Sequence, residues 1–400
     1  MLAAGTLAQA SFSASSVGLP ALGPTLKADY RLTLGQTGVV LAAIGIGMLL
    51  TLLPWGLVAD RVEERWVIAA GLTGSAALLA LASTTRGFGA VTAVLVGAGA
   101  LGASVNAASG RAIMAWFPAS ELGLALGIRQ TAIPIGGVLG AACLPALGAA
   151  GGARLAFLFL GGACLAGAGV AAAFIRAGDG SSEAEAETAT PSQPLRDPFL
   201  WLLGIGTGLY LTAQVGITSF VVLFLHEHRH VSKEAAGAVL AGIDALAVAA
   251  RIGAGGLSDR LASRVGPLRA IGVALALMTA AVGAAVDAPL ALLVPLFLVA
   301  GALGMAWNGL AYAAAAEAAG AARTGAALGF EQTLLGVVVA AAPPAFAAVA
   351  AQSWRLAFLL AAAGPAAGVL VLGPAAASRA GRGRGRGRSA SPQAARRTRD

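Results

Sequence analysis

Four ionisable side chains stand where hydrocarbon is expected. Arg129, Asp244, Arg251 and Glu331 each fall inside or at the edge of a long apolar run. A lone charge at bilayer depth costs about 2.5–3.5 kcal/mol on insertion scales, so such a group pairs, faces water or serves a function. A guanidinium offers a rigid fork of donors suited to a carboxylate or phosphate. A carboxyl in an apolar setting avoids the cost of a bare charge by holding a proton, which it can release where water reaches it. This is the chemistry of ion binding and proton carriage. No nucleophile–base arrangement, metal-ligand set or phosphate-cradling loop accompanies it, and no G-x-x-x-x-G-K-[ST] segment is present. Neither an enzyme nor an ATP-driven pump is expected, and no catalytic residue, cofactor or metal site.

The elements that must hold these groups follow from composition. Of 400 residues, 58% are hydrophobic and only 11% charged, against about 25% charged in a soluble domain. The mean hydropathy is +0.82. Such a chain cannot cover a water-facing surface; its solvent is the lipid bilayer. Twelve runs approach or exceed the roughly 20 residues that cross a bilayer core: 2–24, 35–57, 66–84, 88–114, 122–148, 153–175, 198–225, 234–257, 268–286, 289–315, 324–350 and 354–376. They are continuous rather than alternating, which reads as helices and not as barrel strands. Their many Gly and Ala residues let membrane helices approach closely.

The polar remainder sets the organisation. Residues 177–197, AGDGSSEAEAETATPSQPLRD, form a linker with six spans on either side. Residues 377–400 are a basic, low-complexity tail without the means to build a core; it is expected to be disordered and to lie near anionic lipid rather than to bind nucleic acid. With both termini in the cytoplasm, sixteen Lys and Arg fall on that side and seven outside, in keeping with the positive-inside bias. The chain enters its first apolar run without a basic leader or cleavage site, so no signal peptide is expected. Cys143 and Cys164 lie inside apolar runs and read as inert packing residues. The HEHRH segment holding His226, His228 and His230 reads as a solvated loop.

The two halves carry the same text. ALGIRQT at 125–131 returns as ALGFEQT at 327–333. A shift of 202 superimposes Asn106 on Asn308, Gln130 on Gln332, Thr131 on Thr333, and Arg129 on Glu331. A shift of 199 superimposes Asp60-Arg61 on Asp259-Arg260. Matched polar residues at nearly one offset are not an accident of Ala-rich helices. The expected fold is an all-α membrane protein, with twelve transmembrane helices in two pseudo-symmetric six-helix bundles. The bundles are expected to span 1–176 and 198–376, with a substrate site at their interface near the midplane.

Here the sequence resembles a known family. GLVADRVEER, from Gly56 to Arg65, is similar to the G-x-L-a-D-r-x-G-r-k motif between the second and third spans of major facilitator superfamily transporters. Gly56, Asp60, Arg61 and Arg65 match; Glu63 and Glu64 depart from it. GGLSDRLASR repeats the match in the second half through Gly255, Asp259, Arg260 and Arg264. The resemblance implies that these residues form ion pairs and helix-end contacts that shut the cytoplasmic face and break as the bundles rock. It also implies that spans five and eight, and spans two and eleven, meet between the halves. Arg129 and Asp244 are then expected to interact or jointly face the cavity, with Glu331 and Asp244 as proton carriers. Cavity-lining spans one, four, seven and ten offer Gln9, Asn106, Tyr210, Gln214, Asn308 and Tyr312 to a ligand.

The function expected is secondary active transport of a small polar or anionic organic solute across the cytoplasmic membrane, coupled to protons, by a monomer. Two alternatives remain. A proton-antiport drug or metabolite exporter is weakly supported by IPIGGVLG at 133–140, which partly resembles the proline-glycine motif of such exporters. A non-transporting membrane sensor or assembly protein would have no need of the buried charges.

Overall fold

The computed structural model describes residues 2–59, 61–116, 128–176, 196–319 and 324–388; at 110–116, 324–326 and 374–388 it describes the backbone alone. Asp60 and most of the linker, 177–195, lie outside the described residues, as do residues 389–400 of the tail. Everything described is helix, turn or short connection. Ten helices are long and apolar enough to cross a membrane. They include Leu34–Ala59, Glu64–Ala82, Pro198–Glu227, Lys233–Arg260 and Val265–Ala284, which are spans two, three, seven, eight and nine.

Two departures from regular helices reconcile ten with the twelve passes expected. The first span is segmented: Leu2–Ser16, a tight turn Leu19–Leu22 led by Pro20, then Gly23–Asp29. Spans five and six are one run, Ala132–Phe174, of 43 residues. A straight helix of that length would be about 65 Å long, twice the hydrocarbon thickness, so it must turn. It does so at Gly151–Gly152, where Gly152 takes φ +63° and ψ −164°, a conformation that only glycine adopts cheaply. The sixth span starts directly after it. Its Ala153 N–H donates to Asp29 Oδ2 at 2.7 Å, so a carboxylate from the end of the first span caps it. Span ten is likewise divided at Trp307 into Leu290–Ala306 and Asn308–Ala319.

The last helix is Trp354–Arg388 and runs past residue 376.

Helices pack as two bundles meeting along a seam. In the N-terminal bundle the second span lies on the fourth (Phe88–Trp116), and the first on the fifth-sixth run. In the C-terminal bundle the seventh lies on the twelfth and the ninth on the twelfth. The seam is built from span two on span eleven (Thr324–Ala350), and span five on span eight. Small residues make it tight. A Cβ added at Gly38 would meet Ala347 Cβ at 2.6 Å and Pro343 O at 2.8 Å; one added at Gly45 would meet Val339 Cγ1 at 2.8 Å. Dispersion between closely approached backbones replaces the hydrophobic drive that lipid cannot supply. The seventh span is the most enclosed, with 83% of its apolar window buried, so it is an interior helix despite its lipid-like sequence.

The two ends of the seam differ. At the end carrying the loops 30–33 and 228–232, the halves are clasped: Lys27 Nζ donates to Glu227 Oε2 at 2.6 Å across the seam. There Phe220, Phe224, Phe297, Phe346, Trp354 and Phe358 stack into one aromatic block. At the other end, where the loops 61–63 and 261–264 lie, Gly56, Gly253, Gly255, Gly256 and Gly329 have nothing among the described residues within 4 Å of an added Cβ.

Candidate substrate and coupling site

A polar cluster interrupts the seam at the level of the repeated phrase. Arg129 sits on the first described turn of the fifth span. Its Nε donates to Ser109 Oγ at 2.9 Å and its Nη2 to Asn106 O at 3.0 Å. Both acceptors are on the fourth span and both are neutral. Asn106 Oδ1 in turn accepts from Gln9 Nε2 at 2.5 Å, which ties the first span in. The C-terminal half mirrors this with Arg251. Its Nε donates to Met305 O at 2.8 Å and its Nη2 to Asn308 Oδ1 at 3.1 Å. Its Nη1 crosses the seam to Gln130 O at 2.8 Å. Asn106 and Asn308, equivalent in the repeat, therefore each anchor an arginine, one through its carbonyl and one through its side chain.

The acids are placed differently. Asp244 is fully buried on the eighth span, and among the described residues neither carboxyl oxygen has a hydrogen-bond partner, although Arg251 lies within electrostatic reach. It fits because Gly137, across the seam on the fifth span, has no side chain: an added Cβ would lie 2.5 Å from Asp244 Oδ2 and 2.7 Å from its Cγ. Glu331, on the eleventh span, is also buried, with neither oxygen hydrogen-bonded among the described residues. Of the two arrangements expected for Arg129 and Asp244, a direct ion pair is not formed among the described residues; Arg129 donates instead to Ser109 Oγ and Asn106 O of the fourth span.

Tyr312 joins the two copies of the repeated phrase. Gln332 donates to its hydroxyl, Gln130 also hydrogen-bonds it, and Glu331, Arg251 and Arg129 lie within electrostatic reach. Of the expected ligand-facing residues, Gln9, Asn106, Arg129 and Asn308 fall into these networks. Gln214 is half-buried with Oε1 unpaired. Tyr210 is set apart: it is wholly buried, donates to Leu268 O at 3.2 Å and packs edge-on to Trp307. The close approach of Gly272 and Gly368 to its ring opens a slot inside the C-terminal bundle, which is where its hydroxyl goes. Ser109, Gln130 and Gln332 were not singled out as ligand-facing from the sequence, although the exact repetition of both glutamines was a signal.

The loop motifs stay within their own halves. Arg65 Nε pairs with Glu63 Oε2 at 2.7 Å and its guanidinium lies over the Trp66 ring. Arg264 pairs with Asp259 at 2.5 Å and Glu317 at 2.8 Å. Burial opposes the charge of Arg264, but the hydrogen bonds it donates to Glu317 and Asp259 outweigh it and hold the guanidinium above its ordinary pKa. Arg61 and Arg260 are exposed. Among the described residues none of these side chains reaches across the seam.

The comparisons with known proteins agree with this architecture. The profile of the Major Facilitator Superfamily matches residues 4–343. The chain belongs to that superfamily. Two strains of Mycobacterium tuberculosis encode an uncharacterized MFS-type transporter that is 30% identical over 335 residues, covering 82% of this chain and 74% of the relative. Among solved structures, a bacterial homologue of the human lysosomal transporter Spinster, inward-facing and occupied, aligns with a TM-score of 0.75 over 94% of this chain and 96% of its own, at 16% identity. The nucleoside transporter NupG aligns at 0.72 over 93% and 98%, at 13% identity. These identities speak to fold alone. The chain is therefore a multi-pass membrane protein of a transporter superfamily, whose members bind small-molecule substrates.

Proposed function

We propose that this chain is a secondary active transporter. It carries a small polar or anionic organic solute across the cytoplasmic membrane by alternating access, coupled to protons, as a monomer. One observation carries the reading: Arg129 is held beside the seam by neutral acceptors only, while the buried carboxyls of Asp244 and Glu331 have no hydrogen-bond partner among the described residues. A guanidinium anchored but not neutralised is complementary to an anionic group brought by a ligand. A buried carboxyl without hydrogen bonds is tolerable when protonated and costly when charged, which suits a carrier that loads a proton with one side open and releases it with the other.

The seam supports rocking as the motion. It is clasped by Lys27–Glu227 at one end, while at the other Arg65 pairs with Glu63, and Arg264 with Asp259 and Glu317, within their own halves. With the Lys- and Arg-rich end in the cytoplasm, as the charge bias favours, this is a conformation open to the inside. Both termini and the linker 177–197 then lie in the cytoplasm, and residues 1–176 and 198–376 are the rocking bodies.

The test is ligand-dependent unfolding. Purified protein is screened by thermal shift against organic anions, organic cations and amphipathic drugs at two pH values; a ligand that binds only the folded state raises Tm by an amount set by its concentration over Kd. Stabilisation by an anion that Arg129→Ala abolishes supports the reading. Stabilisation by amphipathic drugs that survives Arg129→Ala but not Asp244→Asn supports proton-antiport export instead, a reading favoured by the seating of Asp244 against Gly137 in the IPIGGVLG segment.

A further inference from the structure

A second site lies at the clasped end of the seam, remote from the central cluster. A cleft of about 690 Å³ opens between the halves. The N-terminal half lines it with Lys27 and Arg31; the C-terminal half lines it with His226, Glu227, His230 and Lys233. Three fixed cations thus face one carboxylate, and that carboxylate is already taken up by Lys27 at 2.6 Å. Lys233 spends only a 3.4 Å contact on Thr25 Oγ1. The Arg31 side chain is exposed and makes no hydrogen bond or ion pair among the described residues; its backbone N–H donates to Ala28 O.

The arrangement is symmetric in a way the central site is not. The shift of 199 that superimposes the two Asp-Arg loops also places Lys27 on His226 and Arg31 on His230. Arg31 and His230 adopt the same unusual backbone, φ +52° and +56°, a conformation that costs a non-glycine residue of order 1 kcal/mol or more. Two equivalent turns therefore present a basic side chain each to one cleft, from opposite bodies of the protein.

We propose that this cleft binds an oxyanion of the phosphate type, and that the bound anion ties Arg31 to Lys233 across the seam and holds this end shut. Its source is either free phosphate or the phosphate of an anionic lipid headgroup. The site acts on the conformational equilibrium, and its test needs no knowledge of the transported solute.

The full chain is purified in neutral detergent, and inorganic phosphate is titrated against sodium chloride at equal ionic strength. Tm and amide hydrogen exchange in 23–33 and 226–233 are followed. The expected result is a saturable rise in Tm with slowed exchange in both segments, lost together in Arg31→Gln/Lys233→Gln and retained in Arg31→Lys. A parallel arm places the protein in phosphate-free nanodiscs of phosphatidylglycerol or phosphatidylcholine. Protection in phosphatidylglycerol alone supports the site and assigns it to a headgroup; protection by added phosphate in phosphatidylcholine supports it and assigns it to the free ion. The proposal is overturned if protection follows ionic strength rather than phosphate, if it persists in the double variant, or if it appears in neither arm. Should the double variant not melt cooperatively, Arg31→Gln alone is read by the same exchange measurement, and undiminished protection there overturns the proposal.

Discussion

At the residue scale, what distinguishes the central site is which polar groups have partners. Arg251 donates to two carbonyls and an amide oxygen, so its loss takes a donor from three acceptors at once. Arg129 is bound to one serine and one carbonyl. Arg129→Ala is expected to abolish anion-dependent stabilisation while leaving a cooperative melt, and Arg251→Ala to lower Tm without any ligand present; thermal unfolding of the two variants with and without the anion separates them. The carboxyls allow a second comparison. Glu331→Gln keeps the volume and removes the proton site, so proton-driven accumulation in vesicles should fall while ligand-induced Tm shifts persist. Intact accumulation in this variant would remove Glu331 from the coupling path. Gly137 is argued on space alone: Gly137→Ala puts a methyl within 3 Å of the Asp244 carboxyl, an overpacking worth about 1–3 kcal/mol, which should appear as a lower Tm that Asp244→Ala partly restores.

At the element scale, helix ends are fixed by side chains from distant spans. Asp29 caps the sixth span at Ala153, and removing such a cap costs about 0.5–2 kcal/mol. Asp29→Ala is accordingly expected to lower Tm and to speed exchange of the amides just after Gly152. The loop between spans nine and ten is clasped by Asp287, which meets His228 at 3.3 Å and Arg355 at 3.0 Å. The hydrogen bond from His228, and then that from Arg355, hold the Asp287 carboxyl below its ordinary pKa. A depressed carboxyl pKa stabilises the fold above the unfolded value of about 3.9 and ceases to do so as pH falls through the folded value. Exchange in the 285–289 loop should therefore quicken only under strong acid, and Asp287→Asn should remove that dependence.

At the scale of the whole molecule, the two bodies are joined by a seam of small residues with a clasp at one end. Lys27 and Glu227 are each about 30% exposed, so their pair is worth no more than about 1 kcal/mol. That is enough to bias two conformations of similar free energy, and little enough for them to interconvert. Lys27→Glu should speed exchange in 23–33 and 226–233, and the swap Lys27→Glu/Glu227→Lys should restore the slower rate. Unchanged exchange in the single variant would show that the clasp does not govern closure.

Much of this architecture was legible without coordinates. Lipid-compatible composition, runs of membrane length and the doubled ALG-x-x-QT phrase determine a two-bundle helical membrane protein, because the bilayer permits few alternatives and a repeat forces pseudo-symmetry. The same text marked Arg129, Asp244 and Glu331, because a charge inside an apolar run is conspicuous. Sequence did not determine whom those groups meet. The choice of Ser109 over Asp244 as the partner of Arg129, the removal of Tyr210 into the C-terminal bundle, and the convergence of Gln130 and Gln332 on Tyr312 depend on ångström-scale gaps left by glycines on facing helices. Such gaps arise only when two particular surfaces are brought together, and tertiary structure alone decided them.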